Sequence, residues 1–480
     1  MKKLIALLLV LATLLCAMPA CEKKPEPTSG EPTSETSETS EPAAPVLSVN
    51  GVEKMIDVSV APFSYGVYYL RNDDGKYLAT SDTNSKVLLN DGQGKNESYA
   101  RWTLYYRRSG ETVGYSIFRG DDTRNCLKAG SPAPGASVAR NGTFAANKNN
   151  TFTFVPNADG SKYQIQLTDR PEVCVSYDTD GSIVLGESGE KGTWWTVETA
   201  APSEDYVQFI SKNKHIALRI KPQWMKLHSM GLSEELLQQY LDYFELAYEA
   251  EIELTGFVPY DVIEICCYKP RDFVAAVTND YNVIMSSDGY SEKTLAMLSK
   301  RLKQHNVFEM DFGWLHEMGH MFDMGRGWNF ESEAWTDYKM CYALKRLQET
   351  YPDVTFTATP TNTPAKEYYT YDTMEVILGC HDNEKEGGMT KYYAYFGCAK
   401  LFLLFAKEFG WEQAIATFHW FQENNETDKT LKDRISRFEK WVEVESEMSG
   451  INVKGWIDQQ NPKAWRVLVD YMSGVTNKAI

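Results

Sequence analysis

Residues 315–337 read LHEMGHMFDMGRGWNFESEAWTD and place two of the chain's seven histidines and five acidic residues in one short run. Extended back to Phe312, the run carries Phe312, Leu315, Met318 and Phe322 at steps of three and four, without proline, and meets Gly325-Arg326-Gly327 at its end. That spacing predicts a helix up to the glycines. His316 and His320 then stand one turn apart on one face, where two imidazole nitrogens can reach a single tetrahedral ion, and Glu317 lies one step round the helix. HEMGH thus offers two ligands and a base for a catalytic zinc.

Such a site needs a third protein ligand and an open position for water. The metzincin pattern would require Gly and His where this chain has Asp323 and Arg326, so that subclass is excluded. A second helix, expected from about Asn329, offers Glu331 and Glu333. Glu333 has a further acid one turn on, Asp337, and this spacing lets Glu333 face the metal while Asp337 accepts the N–H of a ligand histidine. The expected set is therefore His316, His320 and Glu333 as zinc ligands, Asp337 behind them as orienter, and Glu317 as catalytic base. Zinc held there lowers the pKa of bound water to about 7, and Glu317 takes the proton and passes it to the leaving nitrogen. Tyr392, Tyr393, Tyr395, His381 and His419 are available as oxyanion donors, each more simply read as core or surface. The competing interpretation is an amphipathic helix with two surface histidines; the paired acids on a following helix, after a glycine-rich break, weigh against it.

Around this stretch, 480 residues allow two or three domains, and a net charge of −17 with no basic run after Lys3 excludes nucleic acid as a partner. Lys2-Lys3, the apolar run Leu4–Leu15 and the small residues up to Cys21 have the layout of a secretion signal over residues 1–21. Cys21 after Ala20 resembles the acylated cysteine of a bacterial lipoprotein, a plain cleaved signal being the alternative. The expectation is export and membrane contact only through a lipid anchor at the cell surface. Residues 22–60 begin as a Pro/Ser/Thr/Glu tract, expected to be a disordered tether. The seven later cysteines, Cys126, Cys174, Cys266, Cys267, Cys341, Cys380 and Cys398, are scattered without a CxxC pair, which leaves room for one or two bridges but not a disulfide framework.

Residues 61–200 are rich in Tyr, Thr, Gly and Asn, with turn dipeptides between short alternating runs, an all-β signature. Three segments superimpose: GKYLATSDTNS, NCLKAGSPAPGAS and EVCVSYDTDGS, closed respectively by Trp102-Thr103-Leu104, Phe152-Thr153-Phe154 and Trp195-Thr196-Val197. Tyr77, Cys126 and Cys174 are equivalent, as are Leu78, Leu127 and Val175; alternation puts the first and third residues of each triplet on one face, as layers of a pseudo-threefold core. The pattern resembles a ricin-type β-trefoil, a fold whose members commonly bind sugars. The Gln-x-Trp triplet of that family is absent from all three units, so no sugar-binding residue is carried over; Asp121, Asp122, Asp178 and Asp180 are read as turn formers.

From residue 201 the chain turns to long helical runs and dense aromatics, with Val262, Ile263, Ile265 and NVIMSS as strands before the histidines: an α+β lobe with a mostly helical C-terminal part. HEMGH, the Glu333-to-Asp337 spacing and the later helix KLFLLFAKEFGWEQAIATFHWF resemble the enhancin-like gluzincin peptidases, secreted metallopeptidases associated with mucins and other glycoproteins. The resemblance implies a zincin fold over residues 201–480, Zn2+ on His316, His320 and Glu333, Glu317 as acid/base, and a glycoprotein substrate. That family usually has Gln where Asp323 stands. A glycan-binding adhesin on an unused peptidase scaffold, and a hydrolase of small or cell-wall peptides, are the other readings.

Overall fold

The computed structural model describes residues 53–474 apart from 82–84, 94, 110–111, 121, 143, 146, 191, 201–205, 226–231, 270–274, 278–281, 360–368, 381–395, 461 and 463. The signal, Cys21 and most of the tether lie outside the described residues, as do Asp121, His381, Tyr392, Tyr393 and Tyr395. No described helix is long and apolar enough to cross a membrane.

The first part is β-rich. Its twelve strands are β1 (Gly66–Arg71), β2 (Tyr77–Thr80), β3 (Val87–Asn90), β4 (Arg101–Ser109), β5 (Thr112–Arg119), β6 (Asp122–Ala129), β7 (Val138–Gly142), β8 (Phe152–Pro156), β9 (Tyr163–Leu167), β10 (Arg170–Tyr177), β11 (Ile183–Glu187) and β12 (Trp194–Thr199). The pairs β1–β4, β4–β5, β5–β8, β8–β9, β9–β12 and β12–β1 close a six-stranded ring. Hairpins β2–β3, β6–β7 and β10–β11 rise from the ring in equivalent places and meet through single bridges at Lys86–Ala139, Leu88–Ser182 and Ser137–Val184. Leu78, Leu127, Val175, Trp102, Phe152 and Trp195 are all fully buried in one cluster. The repeat extends to polar contacts: Trp102 Nε1–H donates to Leu78 O at 2.8 Å and Trp195 Nε1–H to Val175 O at 2.9 Å, while Phe152 has no N–H to offer. Asp178 and Asp180 accept bonds from Thr179 and Ser182 within their own turn, as their residue type suggests.

The tether expected over 22–60 ends sooner than that. Glu53 N–H donates to Gly256 O and Ile56 N–H to Asp261 Oδ1, both at 3.2 Å, and Val58 is buried, so the chain is pinned by residue 53.

The second part holds a five-stranded sheet, β13 (Val207–Ile210), β14 (Ile216–Ile220), β15 (Ile263–Cys266), β16 (Ala275–Val277) and β17 (Val283–Ser286), in the order β13-β14-β15-β17-β16. β14, β15 and β17 are parallel; β13 and β16 run antiparallel at the two ends. Of the three interior strands, β14 and β15 are buried along their whole length, the pattern of strands covered on two faces, while β17 is buried at alternate residues. A parallel pair, β18 (Val307–Asp311) and β19 (Thr355–Thr359), stands apart. The helices used below are α1 (Glu234–Thr255), α2 (Asp288–His305), α3 (Phe312–His320), α4 (Ser332–Thr350), α5 (Phe396–Phe409), α6 (Glu412–Glu423) and α7 (Arg434–Ser449). Helix α1 starts on Ser233, whose side chain accepts from Leu236 N–H, and ends on Gly256 at φ +85°. The run KLFLLFAKEFGWEQAIATFHWF, expected as one helix, is two: Gly410 at φ +100° breaks it, and Trp411, Phe418 and Phe421 fill the core. The thiols of Cys174, Cys267, Cys341 and Cys398 are buried and free.

Two carboxyls in this core set a pH dependence. Glu445 on α7 is buried with Trp441 Nε1–H donating to it at 2.6 Å, and burial pushes its pKa up to about 8; burial likewise pushes Glu245 up to about 8. Unfolded, both ionise near 4.3. The folded chain therefore keeps protons the unfolded chain has released, and stability present below the unfolded pKa is lost as pH rises through the folded one. The thermal midpoint is expected to fall as pH rises from about 4.3 to about 8 and to level off above that, and E445Q to flatten that slope. Parallel slopes for parent and variant would contradict the assignment.

Candidate metal centre

Helix α3 begins at Asp311, whose carboxylate caps Trp314 N–H at 2.7 Å and also accepts from Tyr290 and Thr294 hydroxyls. Trp314, Leu315, Met318 and Gly319 bury one face, with Trp314 Nε1–H on Ser286 Oγ at 2.9 Å, so His316, Glu317 and His320 are left on the other. The helix ends at His320 rather than at the glycines, and α4 begins at Ser332 rather than Asn329, because the intervening segment turns inward: Asp323 is buried against Lys339 and Ser332. Gly319 lets the two helices close. A Cβ there would lie 2.9 Å from Thr336 Cα, so a larger residue would hold α4 and its Glu333 away from the histidines.

The approach brings His316, His320 and Glu333 together, one ligand atom from each within 4.8 Å of the others. His316 Nε2 lies 3.2 Å from Glu333 Oε2 and His320 Nε2 3.6 Å from Glu333 Oε1. Two imidazole nitrogens and a carboxylate are donors of the kind zinc takes, and each nitrogen lies by a different oxygen of Glu333, near the separation of about 3.3–3.4 Å between tetrahedral ligands at about 2.0–2.1 Å. Behind them, His316 Nδ1–H donates to Asp337 Oδ1 at 2.8 Å, and Asp337 is fully buried. Glu331 is turned away: it binds the Arg434 guanidinium and accepts from Tyr471 Oη at 2.8 Å. Without metal, burial opposes charging of His316, but its hydrogen bonds to Asp337 and Glu333 prevail and push its pKa up to about 10. The bond from His316 holds the Glu333 carboxyl below its usual range against the effect of burial.

Glu317 Oε2 accepts Val277 N–H at 3.0 Å, which ties the residue between the histidines to β16, the terminal strand of the sheet. A cleft of about 610 Å³ opens over the group, its lining also including Arg326, Asn329, Asp428 and Arg437. Arg326 donates to Gln422 Oε1 at 2.7 Å and stacks over Phe257, and burial lowers its pKa to about 10. His419 does not reach the cleft; its Nε2 bonds Glu253 O at 2.9 Å.

Sequence reasoning did not find Val277, Ser332, Lys339 or Arg437. Arg437 lies 104 residues after Glu333 with no local motif. Asp323 had a signal, its i,i+3 spacing from His320.

No protein-family model and no curated protein matches the chain. Among solved structures it is similar to a designed 3-fold symmetric protein, ThreeFoil (16% identity, 28% of this chain and 99% of that one, TM-score 0.24). It is also similar to a GlcNAcα1-4Gal releasing endo-β-galactosidase from Clostridium perfringens (20%, 28% and 32%, 0.24) and to SeviL bound to asialo-GM1 saccharide (13%, 28% and 99%, 0.23). Likenesses of this extent carry no argument about activity.

Proposed function

We propose that this chain is a zinc-dependent endopeptidase of the enhancin-like gluzincin kind, exported and held at the cell surface through Cys21, and that it hydrolyses peptide bonds in glycoproteins such as mucins. The observation that carries the reading is two imidazoles and one carboxylate whose ligand atoms lie within 4.8 Å of one another beneath an open cleft, with Glu317 between the histidines. When bound, zinc supplies Lewis acidity, polarising a carbonyl and acidifying water. Glu317 takes the proton of the attacking water and delivers it to the leaving amide nitrogen. Val277 N–H occupies only one of its oxygens. No other described strand pairs the outer edge of β16, so a substrate segment in extended conformation can add to the sheet there and bring its carbonyl to the centre. Asp337 holds His316 in the tautomer that presents Nε2 to the cleft.

No described residue of the β-rich part lines the cleft; we assign that part, as a β-trefoil-like module, to glycans on the substrate. The test is incubation of the full chain with mucin and with casein, with and without chelator. Cleavage that a chelator abolishes and added zinc restores is expected. Bound zinc without cleavage of either would favour the glycan-binding adhesin.

A further inference from the structure

We propose that Asp323 is a positioning residue for His320, kept inside the protein by Lys339, so that each histidine of the centre has its own carboxylate behind it; this rests on the metal-centre reading above.

His320 Nδ1 lies 3.1 Å from Asp323 Oδ2 and 2.9 Å from Ser332 Oγ, and Ser332 O–H donates to the same Asp323 oxygen at 2.6 Å. Whichever of the two takes the Nδ1 proton, Nε2 is left as the lone-pair nitrogen facing Glu333. The arrangement matches that of His316 with Asp337, but Asp323 comes from the turn after α3 and Asp337 from α4. A carboxylate and an ammonium in this position are costly to desolvate singly. Here they are paired: Lys339 Nζ lies 2.5 Å from Asp323 Oδ1, both side chains being almost wholly buried, and the ammonium faces the Trp328 ring at 4.9 Å. Helix α4 thus supplies, from Ser332, Glu333, Asp337 and Lys339, the third ligand and the support for both histidines.

The test uses the full chain and the variants D323N, K339M and D323N/K339M. Zinc affinity is read by competition with a chromophoric chelator, the Co2+ absorption spectrum reports the ligand field, and thermal unfolding is followed without metal. D323N is expected to bind zinc about 10–100-fold more weakly and to shift the Co2+ spectrum. K339M leaves a buried carboxylate unpaired and is expected to unfold at a lower temperature than D323N/K339M, which buries neither charge. The double variant is expected to regain stability without regaining zinc affinity. A double variant as tight for zinc as the parent, or D323N with unchanged affinity and Co2+ spectrum where the double variant does not fold, would make the pair a packing feature and overturn the proposal. A parent that takes up no zinc at all would instead overturn the metal-centre reading, and this inference with it.

Discussion

Replacing Glu317 by Gln is expected to reduce peptide hydrolysis by about 10²–10⁴-fold, the range over which a positioned acid/base contributes, while zinc stays bound. The amide keeps an oxygen for Val277 N–H, which Glu317 accepts at 3.0 Å, so the side chain retains its anchor and loses only its ability to take a proton. H316A, H320A and E333A remove donors of the group itself and are expected to lose metal and activity together. The split between these two outcomes is the diagnostic: full zinc content with collapsed kcat/KM for E317Q, low zinc content for the others. An E317Q protein that cleaves casein at the parent's rate would remove Glu317 from the chemistry and with it the peptidase reading.

How much of this centre could be read beforehand follows from the range of each interaction. The histidines one turn apart and the Glu333–Asp337 pair are local, fixed by helical periodicity, and a sequence displays them. The ends of the two helices are not. They depend on Asp323 leaving the helical path for Lys339, sixteen residues on, and on Gly319 meeting Thr336 across the helix pair. In the β-rich part the repeat was visible because equivalent core residues recur, Leu78, Leu127 and Val175 among them. That the strands close into a ring depends on β1 meeting β12 across more than a hundred residues, which no local signal carries. The junction between the two parts left no trace in the sequence at all, since its charged members look like ordinary strand residues.

At that junction, E264Q is expected to destabilise the protein by about 3–5 kcal/mol, the cost of leaving a buried charge without its partner. Arg219 on β14 is fully buried, and its guanidinium lies 3.2 Å from Glu264 Oε2 on β15, while Tyr65, which precedes β1, donates its hydroxyl to the same oxygen at 2.6 Å. Gln208 Oε1 takes the Nε–H at 2.9 Å, and the Tyr65 and Tyr206 rings enclose the cation. Arginine does not discharge itself by losing a proton, so removal of the carboxylate's charge strands it. Denaturant titration of parent, E264Q, R219M and R219M/E264Q forms a closed cycle. The double variant is expected to be more stable than E264Q alone, and a coupling energy near zero would show that the pair contributes nothing.

The same junction carries hydrogen bonds from Arg108 N–H to Asp261 and from Val262 N–H to Tyr105, over a shared apolar cluster of Tyr65, Tyr105, Phe118, Cys126, Ala217 and Val262. A module swinging on a slack leash raises local concentration over a whole volume and accepts many spacings, whereas one welded to its neighbour acts as a calliper of a single gauge. On the proposed reading, a group held by the β-rich part and a segment in the cleft lie a set distance apart on the substrate, and ligands with any other span are engaged at one end only.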